Sequence, residues 1–176
     1  MNAKHATASA LQVRAPARLH MGFIDLDGSL GRRFGSVGLT LEGLGTTVDV
    51  RPARTLEVSG CDAARARRYA EEMIGRFGLP PTRIVIGEAI PSHSGLGSGT
   101  QLALAVGMSL ARLYGLEAES REIAGLLDRG GRSGIGIGSF DAGGFIVDGG
   151  RGAVNAPPPI VAQMHFPSAW RMVLIF

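Results

Sequence analysis

The spacing of apolar and polar side chains divides this chain into short strands, a few helices and glycine-rich turns. Residues 11–17 read as a strand cut short by Pro16, and residues 18–27 alternate, so that Leu19, Met21, Phe23 and Leu26 share a buried face. Arg18, His20 and Asp25 are left on the other side, where they either face a site or form the solvated face of the strand. Strand-like runs follow at 37–41, 46–51 and 55–59, at the spacing of antiparallel hairpins. From Asp62 to Phe77 the period lengthens: Ala66, Tyr69, Ala70, Met73, Ile74 and Phe77 recur at three and four. This predicts an amphipathic helix with Asp62 as N-cap, Gly78 as its stop and arginines on its outer face. A strand over 83–90 leads to a helix over 98–114 that is apolar almost all round and therefore central to the domain. A short helix over 120–128, a strand over 145–148 and a terminal strand over 170–176 complete the pattern.

Composition narrows the class. The 176 residues suffice for one large domain, or one domain and the edge of another, with 45% hydrophobic and 19% charged residues as in a globular chain. The 27 glycines stand out and gather in 22–45, 95–99 and 130–152, the candidate functional loops. Net charge is +3, Lys4 is the only lysine, and there is no basic run, so nucleic acid is a poor partner. Arginines scattered through glycine-rich loops suit small anions better. Cys61, the single cysteine, excludes a disulfide framework and a cysteine zinc site. No apolar stretch is long enough to span a bilayer and no signal peptide is visible, so a cytoplasmic protein without a membrane partner is expected.

The richest stretch is residues 91–101, Pro-Ser-His-Ser-Gly-Leu-Gly-Ser-Gly-Thr-Gln, which opens the apolar helix. Gly95, Gly97 and Gly99 allow positive φ and a close approach of main-chain N–H groups to a ligand. Ser98 and Gln101 match a capping box, and the helix start behind them offers free donors and a positive dipole end. Ser94, Gly95, Leu96, Gly97, Ser98, Gly99, Thr100 and Gln101 are the expected phosphate cradle; a glycine-rich turn before a buried helix is the plain alternative. The loop has no Lys-Ser/Thr of a Walker motif and not the spacing of a dinucleotide fingerprint.

Pro91-x-x-x-Gly-Leu-Gly-Ser-Gly-Thr together with Ser133-Gly-x(8)-Gly-Gly144 resembles the GHMP superfamily of small-molecule kinases over roughly residues 11–155. The resemblance implies an α+β fold of the ribosomal-protein-S5-domain-2-like type, with a left-handed β-α-β crossover and a polyphosphate on the loop. Within the superfamily, Arg18-Leu-His-Met-Gly-Phe-Ile-Asp25, the 95–101 loop and Gly131-Arg-Ser-Gly-Ile-Gly136 are similar to the β-ribofuranosylaminobenzene 5′-phosphate synthase branch of tetrahydromethanopterin biosynthesis. That branch condenses 4-aminobenzoate with 5-phosphoribosyl-1-diphosphate, losing carbon dioxide and diphosphate. Laid on the kinases' second motif, the catalytic aspartate falls on Gly136, which cannot accept a proton.

The resemblance implies Asp25, Arg132 and Asp141 as catalytic residues, Arg18, His20, His93 and Ser133 as substrate contacts, and magnesium with the diphosphate. A GHMP kinase for a small alcohol or sugar and a catalytically silent ligand-binding relative remain as alternatives. In domain terms the expectation is a disordered leader over 1–10, a phosphate-binding domain over 11–155, and a linker with the first strand of a truncated second domain over 156–176. The missing part would be ferredoxin-like. The apolar ending Met-Val-Leu-Ile-Phe suggests such a fragment, inactive alone and prone to self-association, with a homodimer expected for the enzyme.

Overall fold

The computed structural model describes residues 6–152 and 156–175. Two long strands, β1 (Leu11–Asp25) and β2 (Phe34–Pro52), form an antiparallel hairpin that is the spine of the sheet. The five short strands expected from the sequence over this region resolve into these two and β3 (Glu57–Gly60). Pro16 does not end β1, because it lies at a register shift opposite Gly45 where Glu42, Gly43 and Leu44 loop out of the ladder. Strand β1 also pairs on one side only, and a proline on an edge strand costs no interior hydrogen bond.

The other edge of β2 is shared. Its C-terminal half pairs with β4 (Thr82–Glu88), and its N-terminal half with β5 (Phe145–Asp148). Strand β3 runs parallel to β4 beyond it, and β6 (Ile160–Met164) pairs with β5, giving the order β3-β4-β2-β5-β6 with β1 beside β2. Strand β6 lies in the stretch read from sequence as a linker. The expected strand over 170–176 is a correction: residues 170–175 take no strand, Leu174 packs on Ala17, Leu41, Ile90 and Leu96, and Phe176 lies outside the described residues.

Helices α1 (Ala63–Phe77) and α2 (Ser98–Leu113) cover Val13, Ala15, Val48, Val50, Ile84 and Ile86 of the sheet to make the main core. Helix α3 (Ser120–Leu126) packs on α2, and α4 (Ile135–Asp141) forms inside the segment whose glycines read as a loop. The leader is also partly fixed: Thr7 donates from its N–H to Leu113 O at 2.8 Å and from its hydroxyl to Arg112 O at 3.0 Å, while residues 1–5 lie outside the described residues.

Gly107 shows how tightly α2 is enclosed. In an exposed helix, Gly→Ala stabilises by about 1 kcal/mol. Here a Cβ would stand 2.3 Å from Ile123 Cγ2 and 3.3 Å from Leu127 Cδ1, so α3 must move. Overpacking wins, and Gly107→Ala is expected to lower stability by about 1–3 kcal/mol in denaturant titration; a gain in stability would show that α3 yields freely.

Candidate phosphate-binding site

The loop after β4 crosses the edge of β1, where Arg18 N–H donates to Leu96 O at 3.1 Å. Leu96 points inward, buried with Ala17, Leu41 and Ile90, and anchors the loop. Gly97, at φ 86°, is the N-cap of α2, and the first intrahelical bond runs from Gln101 N–H to Gly97 O at 3.0 Å. The N–H groups of the turn before it have no intrahelical acceptor and carry the positive end of the helix dipole.

A cleft of about 290 Å³ opens at this helix start, lined by Gly95, Gly97, Ser98, Gly99, Thr100, His93 and three arginines, Arg18, Arg65 and Arg129. Each arginine is held in place. Arg18 Nη1 donates to Gly95 O at 2.6 Å, and burial lowers its pKa from the usual guanidinium value. It makes no ion pair among the described residues, so this desolvated cation is left for an anion to satisfy. Arg65 binds the Asp62 carboxylate and reaches Ser92 Oγ at 3.4 Å, with its Nε buried and unpartnered among the described residues. Arg129 Nε donates to Tyr69 Oη at 3.1 Å, and Tyr69 Oη in turn reaches Gly99 O at 3.4 Å. Backbone donors at the floor and guanidinium groups at the rim make a site for a polyanion.

Arg65 and Arg129 are the residues that reading the sequence missed. Arg65 was assigned to the solvated outer face of α1, and Arg129 lies just past α3, so only the tertiary fold brings them to the glycine loop. Asp62 is the N-cap of α1, as expected, and its carbonyl accepts from Ala66 N–H at 3.1 Å, but its φ of 53° is left-handed, and among the described residues its carboxylate makes no cap bond and holds Arg65 instead.

The capping box at Ser98 and Gln101 is also corrected. Ser98 is already helical, and Gln101, fully buried, sends Nε2 to Gly136 O at 2.8 Å. That bond ties α2 to α4. Ser94 turns its hydroxyl onto Pro91 O at 2.7 Å and shapes the loop. His93, in the left-handed region at φ 60°, is on the rim of the cleft.

The remaining candidates are not gathered there. Asp25, whose pKa is lowered chiefly by the Leu30 backbone N–H, accepts from Leu30 N and Gly28 N at 2.8 Å and closes the turn after β1. Asp141, at the end of α4, accepts from Ser120 Oγ at 2.6 Å. Arg132 is exposed on the turn entering α4. Ser133 donates to Asp148 Oδ2 at 3.0 Å. Asp148 was not singled out in the sequence, yet it is buried and also accepts from the N–H groups of Gly134, Ser36 and Gly150 at 2.8, 3.0 and 2.9 Å. It locks the start of α4 to the sheet. The cleft lining offers no carboxylate, and among the described residues no cluster of metal-ligating side chains forms, so this donor set does not fit a protein-held magnesium ion.

The family model for the GHMP kinases N terminal domain matches residues 63–149, which include the glycine loop, α2 and α4. The fold is that of the GHMP kinases N terminal domain. Beyond the GHMP match, the chain is 37% identical over 177 residues to a β-ribofuranosylphenol 5′-phosphate synthase of Archaeoglobus fulgidus, an alignment covering 93% of this chain and 56% of the relative. A synthase of the same name from Methanothermobacter thermautotrophicus is 35% identical over 93% of this chain and 57% of its own length. The chain thus spans about half the length of the curated relatives it matches. Among solved structures, a 4-(cytidine 5′-diphospho)-2C-methyl-D-erythritol kinase shares the GHMP fold, with a TM-score of 0.61 at 23% identity over 85% of this chain and 55% of that one. No described helix is long and apolar enough to cross a membrane.

Proposed function

We propose that the complete protein transfers the ribose 5-phosphate of 5-phosphoribosyl-1-diphosphate to a para-substituted benzoate, releasing carbon dioxide and diphosphate, as a cytoplasmic enzyme of tetrahydromethanopterin biosynthesis. The observation that carries this reading is Gly136. It lies on the first turn of α4 against the first turn of α2, and a Cβ there would stand 2.9 Å from Thr100 Cγ2. A side chain at the position that the kinases use for their base would therefore have to displace Thr100, while the cleft beside it keeps its backbone donors and arginines.

The chemistry follows from the cleft. The diphosphate takes the backbone donors at the start of α2, and Arg18, Arg65 and Arg129 stabilise the negative charge that grows as the C1′–O bond breaks. Magnesium belongs to this reading as a companion of the diphosphate. The name of the relatives specifies a phenol rather than an aminobenzene, which favours 4-hydroxybenzoate over 4-aminobenzoate as acceptor. Supplying the complete protein with the ribosyl diphosphate and carboxyl-labelled 4-hydroxybenzoate should release labelled carbon dioxide and diphosphate in equal amounts. Diphosphate without carbon dioxide would mean simple hydrolysis of the donor and would remove the acceptor from the proposal.

A further inference from the structure

We propose that His20 is the general base for the aromatic acceptor: its Nε2 takes the proton of the para-hydroxyl as the ring attacks the ribose, and returns it when the ring regains aromaticity. The inference rests on the ribosyl-transfer reading above. It adds the acceptor's subsite and a catalytic group within it.

Placement is the first support. Side chains two apart on a strand share a face, so His20 stands beside Arg18, which lines the phosphate cleft. Its cross-strand partner is Gly38, where a Cβ would stand 2.2 Å from Ile135 Cγ2 at the head of α4. His20 thus lies between the two helix starts, one carrying the polyphosphate site and the other Gly136.

Unmet bonding is the second. Among the described residues, His20 Nε2 is buried without a hydrogen-bond partner, and so are Ser36 Oγ and Thr40 Oγ1 on the facing strand. Buried polar atoms are nearly always paired, so three orphans along one stripe mark a place where a ligand or water completes the bonding. Asp148 does not serve His20, since both its carboxylate oxygens are taken by Ser133, Gly134, Ser36 and Gly150.

Shape is the third. The Phe23 ring lies edge-on to His20 at 4.6 Å and is 42% exposed, with Phe34 behind it at 5.3 Å. Phe23 is the aromatic ring already against His20, and a phenol beside it or in its place keeps that contact.

Protonation agrees. Burial lowers the His20 pKa from 6.5, Arg18 lowers it further, and Asp148 pulls the other way. Strand β2 opposes His20 with Gly38, and the first turn of α4 has no titratable group. The imidazole is therefore neutral at pH 7 and able to accept a proton.

The step balances. The ring carbon bearing the carboxylate bonds to C1′, and diphosphate leaves with the C1′–O electron pair. The hydroxyl proton passes to Nε2 and the ring becomes a dienone. Loss of carbon dioxide returns the C–C electron pair to the ring, and the proton goes back to the oxygen. An amine para to the carboxylate donates its lone pair directly and needs no prior proton loss.

The test compares acceptors in the complete protein. In His20→Asn, kcat with 4-hydroxybenzoate should fall on the order of 10²- to 10⁴-fold, with KM for the ribosyl diphosphate unchanged. With 4-aminobenzoate the fall should stay below about tenfold, since general-base help is not required there. If that variant does not fold, the pH profile of the unaltered protein decides: kcat with 4-hydroxybenzoate should drop on acidification, with a midpoint below 6.5, and kcat with 4-aminobenzoate should not. Equal losses on both acceptors, or identical acid limbs, would overturn the assignment. No ribosyl transfer to either acceptor by the unaltered protein would instead remove the reading on which it rests.

Discussion

Gly97→Val is expected to abolish diphosphate binding while leaving the domain folded. Gly97 holds φ 86° at the N-cap of α2, a region that a β-branched residue enters only at a cost of about 1–3 kcal/mol. A Cβ there would also stand 3.1 Å from Arg18 Cγ and 3.2 Å from Arg18 Cζ and Nε. The valine therefore tilts the first-turn N–H groups and displaces the guanidinium that stands nearest them. The core under α1 and α2 is untouched, because Gly97 belongs to neither face that packs on the sheet. Calorimetric titration of the complete variant with diphosphate should give at least a hundredfold weaker binding, about 2.7 kcal/mol. Unchanged affinity in a folded variant would show that the anion binds elsewhere.

Gly136→Asp is expected to make a worse synthase and no kinase. The aspartate Cβ would meet Thr100 Cγ2 at 2.9 Å and Thr100 Cβ at 3.4 Å, both on the helix whose start lines the cleft. Overpacking of this kind costs about 1–3 kcal/mol, and a carboxylate placed there repels the diphosphate. Ribosyl transfer should fall by about tenfold or more, about 1.4 kcal/mol, since a like charge beside a bound anion is repelled. ADP formation from ATP should remain absent. Acceptor-dependent ADP from this variant would mean that the glycine alone separates the two chemistries and that Thr100 yields to the new side chain.

These two glycines also show what a sequence can disclose. Helices α1 and α2 were legible to within a residue because their apolar spacing is regular and each is closed by a glycine, Gly78 or the Tyr114-Gly115 pair. Strand β5 has its expected bounds, and β4 ends at Glu88, two residues short of the expected 83–90. Strands β1 and β2 were read as fragments because bulges at Pro16/Ala17 and His20/Gly22, with residues 42–44 looped out, break the alternation that marks a strand. Helix α4 was hidden by its own glycines, which are poor helix formers. Packing demands them: a Cβ at Gly136 meets Thr100, and one at Gly138 would stand 3.1 Å from both Ile146 and Ile160.

The glycine loop at the start of α2 was legible in the sequence, since three glycines directly precede an apolar helix. Its arginine rim was not. Arg65 comes from α1 and Arg129 from beyond α3, and no local pattern separates them from the solvated arginines around them. The capping box failed for a related reason: Gln101 has a better partner in Gly136 O than in its own helix start, and Glu122 instead accepts from Glu119 N–H at 2.9 Å to begin α3. Asp25 and Asp141 carry the right chemistry, but their carboxylates serve a turn and the Ser120 hydroxyl, respectively.

Ribosyl transfer and phosphoryl transfer can be told apart on one preparation of the complete protein. Diphosphate and carbon dioxide are measured with 5-phosphoribosyl-1-diphosphate plus 4-hydroxybenzoate or 4-aminobenzoate, and ADP is measured with ATP plus mevalonate, homoserine or sugar acceptors. Equal release of diphosphate and carbon dioxide, with no acceptor-dependent ADP, is the expected result. ADP with any one of those alcohols, and no diphosphate from the ribosyl donor, would contradict it and make the protein a kinase whose base lies outside the Gly136 position.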